Sequence, residues 1–432
     1  MAGWAIARAA TQPPSATLPP APAVRLYHDD PSHLWNQLHA ALLVRVTADG
    51  RAFGADRGDP LLWVGSTYLL AGNAHRRAVE LLTQFVDRHG ERLIDDPIKR
   101  AMLQRDLWMI FGWLEGDHTS FATPPPEEAQ VKAAAGELRP LIATAIGRLA
   151  LARDELRALP DSCVEAARAG VLPADLCDPS GPWVSVGRPD GPVAAHHVRD
   201  ADPAKHSVFL VFLRLPAGRR ATLAFFDRLR SFAGPMWAPA GYPNPDLPAF
   251  PVGTQVALVR RALLVDRSGA IVASPIVEQV QLRVYREIRP MTVEEFEMAH
   301  MIDRGLFARA GQEFEEFSVS RAALFARQAG GLRLMAAGDG FFLTFSSHGV
   351  DPFEMPQTIV QEPASAQFVC KDCHGAPGVY SFNSFLPFRL LAPGSATPAR
   401  LSEIPLADSE RTAIAWTEQR AEWRTLQPLL RQ

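Results

Sequence analysis

Val280-Gln-Leu-Arg-Val-Tyr285 decides how this chain is read. Val280, Leu282 and Val284 alternate with Gln281, Arg283 and Tyr285, the two-residue period of a strand buried on one face. The same chemistry extends outward through Ser207–Leu215, Gln255–Asp266 and Val277–Arg286, all rich in Val, Leu and Phe. Asp266-Arg-Ser-Gly269, between two apolar runs, has the composition of a hairpin turn. Strand follows strand with little room for crossover helices, so the expected sheet is antiparallel. The loop from Ala238 to Pro251 is dense in proline and is expected to be irregular.

Upstream, the period changes. Leu34, Leu38 and Leu42 recur at helical spacing within Ser32–Leu43, and Val79, Leu82 and Val86 do so within His75–His89, which stops at Gly90. The clearest helix spans Pro97–Glu115: Asp96 is placed to cap it, Pro97 fits its first turn, and Gly116 ends it. A helical pattern from Glu127 to Leu159 is expected to break at Pro140. Downstream, Thr292–Arg309 starts with a Thr292/Glu295 capping box. Phe314–Ala329 reads as strand then helix, and one helix from about Ala407 to Leu430 closes the chain.

The expected class is α+β: a helical N-terminal region, an antiparallel β-rich middle, and a loop-rich C-terminal region carrying a C-x-x-C-H motif and a final helix. The expected segments are a leader or Pro/Ala-rich tail over 1–28, a helical region over 29–160, a β-rich region over 161–290 and a C-terminal region over 291–432. A chain of 432 residues is long enough for two or three such units. A net charge of −3 carries no basic excess for nucleic acid or for an anionic membrane, so no nucleic-acid partner is expected. No apolar run reaches the roughly 18 residues of a membrane helix, so no transmembrane segment is expected.

Cys370-Lys-Asp-Cys373-His374 carries the sharpest chemistry. Two thiols three positions apart can each form a thioether to a vinyl group of one haem, and the adjacent imidazole then lies under the iron. With Gly375 the stretch resembles the attachment site of c-type cytochromes. That resemblance implies one covalent haem c, with Cys370 and Cys373 as thioether residues and His374 as proximal ligand. It further implies electron transfer or small-ligand chemistry, with a redox partner protein or a small molecule as the other party. Phe345-Ser-Ser-His-Gly-Val-Asp-Pro-Phe353, Ala376-Pro-Gly-Val-Tyr-Ser-Phe-Asn-Ser-Phe385 and Gly181-Pro-Trp-Val-Ser-Val-Gly-Arg-Pro-Asp-Gly191 are similar to a long, uncharacterised bacterial exported-protein family that carries the motif near its C-terminus.

No Met or His follows His374, so a distal ligand must come from upstream, and His348 or Met355 is the candidate. The alternatives for the motif are a redox or clamping disulfide between Cys370 and Cys373, or a metal site needing further ligands. Haem attachment needs an oxidising, exported compartment, and Ala7-Arg8-Ala9 has the small-x-small pattern of a cleavage site. The basic, apolar lead of a full signal is missing before it. The second functional expectation is a non-catalytic exported binding or structural protein whose C-terminal Cys pair is a disulfide.

Cys163 and Cys177 are either a disulfide or two small core residues. His28, His33 and His39 do not share a helix face and read as surface or core residues. Glu294–Glu297 and Glu313–Glu316 read as solvated helix faces.

Overall fold

Asp96 begins the element around which the helical layer is built. Its carboxylate accepts from the amides of Ile98 (2.8 Å) and Lys99 (3.0 Å), and Pro97 follows at the first helical position. These are the groups a helix start otherwise leaves unsatisfied. The computed structural model describes residues 23–46, 52–57, 66–116, 127–187, 206–234, 244, 246–288, 311–336, 353 and 402–430.

Among the described residues the N-terminal part holds α1 (Leu34–Leu43), α2 (Gly72–Asp87), α3 (Pro97–Leu114), α4 (Glu128–Leu149) and α5 (Arg153–Arg157), with a small ribbon of β1 (Arg45–Val46) and β2 (Ala52–Phe53) after α1. A short α6 (Ser162–Arg168) leads to β3 (Val184–Gly187) and β4 (Ser207–Arg214). Then come α7 (Arg219–Arg230), β5 (Gln255–Val265), β6 (Ile271–Tyr285) and β7 (Gln312–Val319). The described chain ends with α8 (Arg321–Phe325), β8 (Leu332–Leu334), β9 (Ser402–Glu403), α9 (Leu406–Glu418) and α10 (Ala421–Leu429). The architecture is α+β, with a helical N-terminal region and a seven-stranded antiparallel sheet ordered β8-β7-β6-β5-β4-β3-β9.

The alternation in the sequence sets the two faces of the sheet. Val208, Leu210, Ala257, Val259, Val280 and Phe317 share one core with Trp35, Phe85, Leu107, Phe111, Ile142 and Ile146 of the helical layer. Val211, Leu213, Val256 and Tyr285 point the other way and pack with Phe225, Phe226 and Leu229 of α7, and with Leu247 and Phe250. Asp266–Gly269 is the expected hairpin turn. Asp266 Oδ1 accepts from the amides of Ser268 and Ala270, and Gly269 takes the positive φ of 79° that suits glycine.

Several expectations are corrected. Pro140 does not interrupt its helix: α4 runs unbroken from Glu128 to Leu149. Burial of Leu138, Ile142 and Ile146 along one side outweighs the single backbone bond a proline forfeits. The final helix is two, because Arg420 leaves the helical region at φ −78°, ψ 148° and its side chain is buried beside Glu422. A helix, α7, does lie in the connection between β4 and β5, but these strands pair antiparallel, so it is not a crossover; Gly218 at its start and Phe225, Phe226 and Leu229 on its buried side were its signal. Glu313–Glu316 is strand, so it alternates: Glu315 is exposed and Glu316 fully buried.

The expected helix over Thr292–Arg309, the acidic run Glu294–Glu297 and the leader before residue 23 lie outside the described residues. Val24 and Tyr27, at the end of the 1–28 segment, are buried. Gly90 allows a close approach: a Cβ there would meet the Phe85 ring at 2.5 Å, and the Gly90 carbonyl accepts from Trp35 Nε1 at 2.7 Å.

Candidate functional site

The described fold concentrates its charge chemistry where α3 crosses the sheet. Arg105 and Asp106 are adjacent on α3, both buried, with Arg105 Nη1 2.9 Å from Asp106 Oδ1. Arg321 of α8 approaches Asp106 with two donors, Nη2 to Oδ1 at 2.7 Å and Nε to Oδ2 at 3.0 Å, the forked geometry that suits guanidinium and carboxylate. Arg105 Nε donates in turn to Glu278 of β6. Glu278 also accepts from Ser207 Oγ and lies 3.1 Å from the Arg260 guanidinium.

Glu278 reaches both neighbours because the β5–β6 register shifts at Arg260 and Arg261. Such a bulge inserts an extra residue and re-aims a side chain. Asp56 completes the inner cluster. Its carbonyl accepts from Arg321 Nη1 at 3.0 Å, and its carboxylate accepts from Ser320 Oγ and the Ala322 amide at 2.8 Å each.

On the sheet's other face, the register places Gln281 opposite Glu316 and Gln279 opposite Ser318. Gln279 Nε2 donates to Glu316 Oε1, and the Gln281 side chain also hydrogen-bonds to Glu316. Burial pushes the Glu316 carboxyl up to about 7, against the pull of Gln279, Arg283 and Arg260. Arg283 lies 4.6 Å above the Phe314 ring and donates to Gln281 Oε1 at 3.0 Å. The arrangement can hold charges and one exchangeable proton in a dry interior. Sequence reading missed it because the adjacent Arg105 and Asp106 are far along the chain from Glu278 and Arg321, and the four match no local motif.

Cys163 and Cys177 form a disulfide, with Cα atoms 6.6 Å apart. It ties α6 to the segment leading into β3. His28 and His33 stack at 4.5 Å near the surface, where the His33 side chain caps α1, while His39 is fully buried.

The expectation of a metal-binding, cytochrome c-like iron protein is corrected for this fold. Among the described residues, no group of three or more His, Cys, Asp or Glu could hold a metal ion. The described cysteine pair is a disulfide, not a thioether pair. The physical reason is prior commitment of the donors. His39 Nε2 faces two backbone carbonyls, His206 faces Glu422 at 2.9 Å, and the buried Asp106 and Glu278 carboxylates are taken by guanidinium groups. Cys370, Cys373, His374, His348 and Met355 lie outside the described residues, as does the haem c site they were expected to form. No described helix is long and apolar enough to cross a membrane.

Comparison with known proteins finds no matching family model, no matching curated protein and no matching solved structure.

Proposed function

We propose that this chain is a non-catalytic binding or structural protein of an oxidising compartment outside the cytoplasm. One observation carries the reading: the Cys163–Cys177 disulfide. Structural disulfides persist where thiols are not kept reduced, and this one closes a loop with a sequence separation of 14. The interior supports a scaffold role. Asp106 of α3 is matched by Arg321 of α8, and Glu278 of β6 by Arg105 of α3 and Arg260 of β5, which locks helix layer to sheet. In this reading Cys370 and Cys373 form a second, local disulfide clamp in the C-terminal region.

The test is intact-mass spectrometry of full-length protein matured in an exporting host with haem-attachment machinery, with and without reductant. The expected result is a mass four hydrogen atoms lighter than the fully reduced chain, with both bridges mapped by non-reducing peptide analysis. Free thiols at Cys163 and Cys177 would overturn the compartment assignment. A Soret band with a haem adduct on Cys370 and Cys373 would overturn the non-catalytic clamp.

A further inference from the structure

His28 and His33 stand at the entry to α1 with their rings stacked, centroids 4.5 Å apart and planes 14° from parallel. Each ring accepts a backbone amide at Nδ1. The Asp30 amide lies 3.0 Å from His28 Nδ1, and the Trp35 amide lies 3.3 Å from His33 Nδ1, where His33 caps the helix. An amide N–H can only donate, so both Nδ1 atoms present lone pairs and both rings carry their proton at Nε2. This geometry requires two neutral imidazoles.

The segment that carries the pair is strapped across the helical layer by Asn36, a buried residue of α1. Asn36 Oδ1 accepts from the amides of Leu26 (3.1 Å) and Tyr27 (2.8 Å), and its Nδ2 donates to the carbonyls of His28 (2.6 Å) and Asp30 (2.8 Å). Lys99 Nζ of α3 donates to the Tyr27 carbonyl at 2.7 Å. Val24 and Tyr27 of this strap are buried. The stacked rings fix its far end, where it turns into α1.

A proton on Nδ1 turns an acceptor into a donor that faces an N–H. Two protonated rings would also set like charges at stacking distance. Asp30 favours the charged rings, although its carboxylate is already engaged by the Ser32 amide and hydroxyl; Lys99 opposes them. Arg25 and Asp29 lie exposed on the same segment, where the Arg25 guanidinium donates to the Asp29 carbonyl. Burial and the neighbouring His28 hold the His33 imidazole below its ordinary value, against the pull of Asp30. A base kept neutral by folding stabilises the fold above its ordinary titration range, and that contribution is lost as pH falls.

We propose that the stacked His28–His33 pair is an acid-released latch: proton uptake by the imidazoles frees the Asp30 and Trp35 amides, parts the rings and loosens residues 24–30 from α1 and α3.

The test is NMR of the full chain, with ring tautomers and backbone amide exchange followed from about pH 8 to about pH 5, the range in which imidazole titrates. Both rings are expected as Nε2–H tautomers at the upper end, with the Asp30 and Trp35 amide resonances shifting as the rings titrate. Protection of the Leu26 and Tyr27 amides, corrected for intrinsic exchange, is expected to fall by about tenfold or more across the range, the equivalent of one pK unit. His33→Ser keeps a capping oxygen that does not titrate, so it is expected to hold the Trp35 amide in place and flatten the loss of protection. His28→Ala is expected to raise the His33 midpoint. An Nδ1–H tautomer on either ring at about pH 8, protection of Leu26 and Tyr27 that does not change with pH, or a His33→Ser chain that loses protection as steeply as the unaltered one would each overturn the proposal. The tautomers and protection of the unaltered chain decide the matter even where a variant does not fold.

Discussion

Arg321 Nη2 lies 2.7 Å from Asp106 Oδ1, with both side chains fully buried, although 215 positions of sequence separate them. The pair fastens α8, which follows the sheet's β7, onto α3 of the helical layer. A buried ion pair contributes little net stability when intact, yet breaking it leaves an uncompensated charge in a dry interior.

Asp106→Ala takes from Arg321 the carboxylate it forks onto and from Arg105 one of the two carboxylates beside it. It should destabilise the fold by about 3–5 kcal/mol. Urea unfolding of the variant beside the unaltered protein measures this; a loss below about 1 kcal/mol, the range of surface pairs, would mean the pair is solvated.

Reducing the Cys163–Cys177 bridge, or replacing both residues by Ser, should cost about 3 kcal/mol on the chain-entropy account of a loop this long. Thermal unfolding with and without reductant reads it directly. Indifference to reductant in protein whose bridge is shown to be intact beforehand would contradict the stabilising role.

Glu316 binds a proton more tightly folded than unfolded, its carboxyl being raised from 4.5 to about 7 by burial. The proton therefore favours folding. This contribution is fully present below about pH 4.5 and is lost as pH rises through about 7. At 1.36 kcal/mol for each unit, the swing is about 3 kcal/mol. Glu316→Gln should erase that swing, so the variant gains on the unaltered protein between pH 5 and pH 8. Parallel stability–pH curves for the two proteins would refute it.

Gly330 and Gly269 both sit at positive φ, 62° and 79°, but only one has space. A Cβ at Gly330 would lie 2.0 Å from the Ser162 carbonyl oxygen, whereas one at Gly269 meets nothing within 4 Å. Gly330→Ala should cost about 3 kcal/mol or more, since α6 must move, and Gly269→Ala only about 1 kcal/mol. Denaturant midpoints for the two variants, compared at equal slope, give the ranking.

Much of the fold was legible because its signals are local. Asp96-Pro97 starts a helix with groups that satisfy its own first amides, and Asp266–Gly269 turns the chain within four residues. The alternation at Val280–Tyr285 assigns each side chain to a face before any partner is known. Elements failed where tertiary packing overrode local preference. Pro140 is carried inside α4 by the apolar side it buries, and Arg420 breaks the closing helix to reach its buried place beside Glu422. The candidate site was illegible for a related reason: Arg105, Asp106, Glu278 and Arg321 each look like ordinary surface charges in their own segments.

By itself, the amino-acid sequence determined the α+β class, the antiparallel pairing and the principal helix starts, because period, capping and turn chemistry act over a few residues. Only the tertiary structure decided that Cys163 meets Cys177, that Asp106 lies between two guanidinium groups, and that Glu316 turns inward while Glu315 faces solvent. Those outcomes depend on which surfaces are removed from water together, a property of the packed chain that no short stretch encodes.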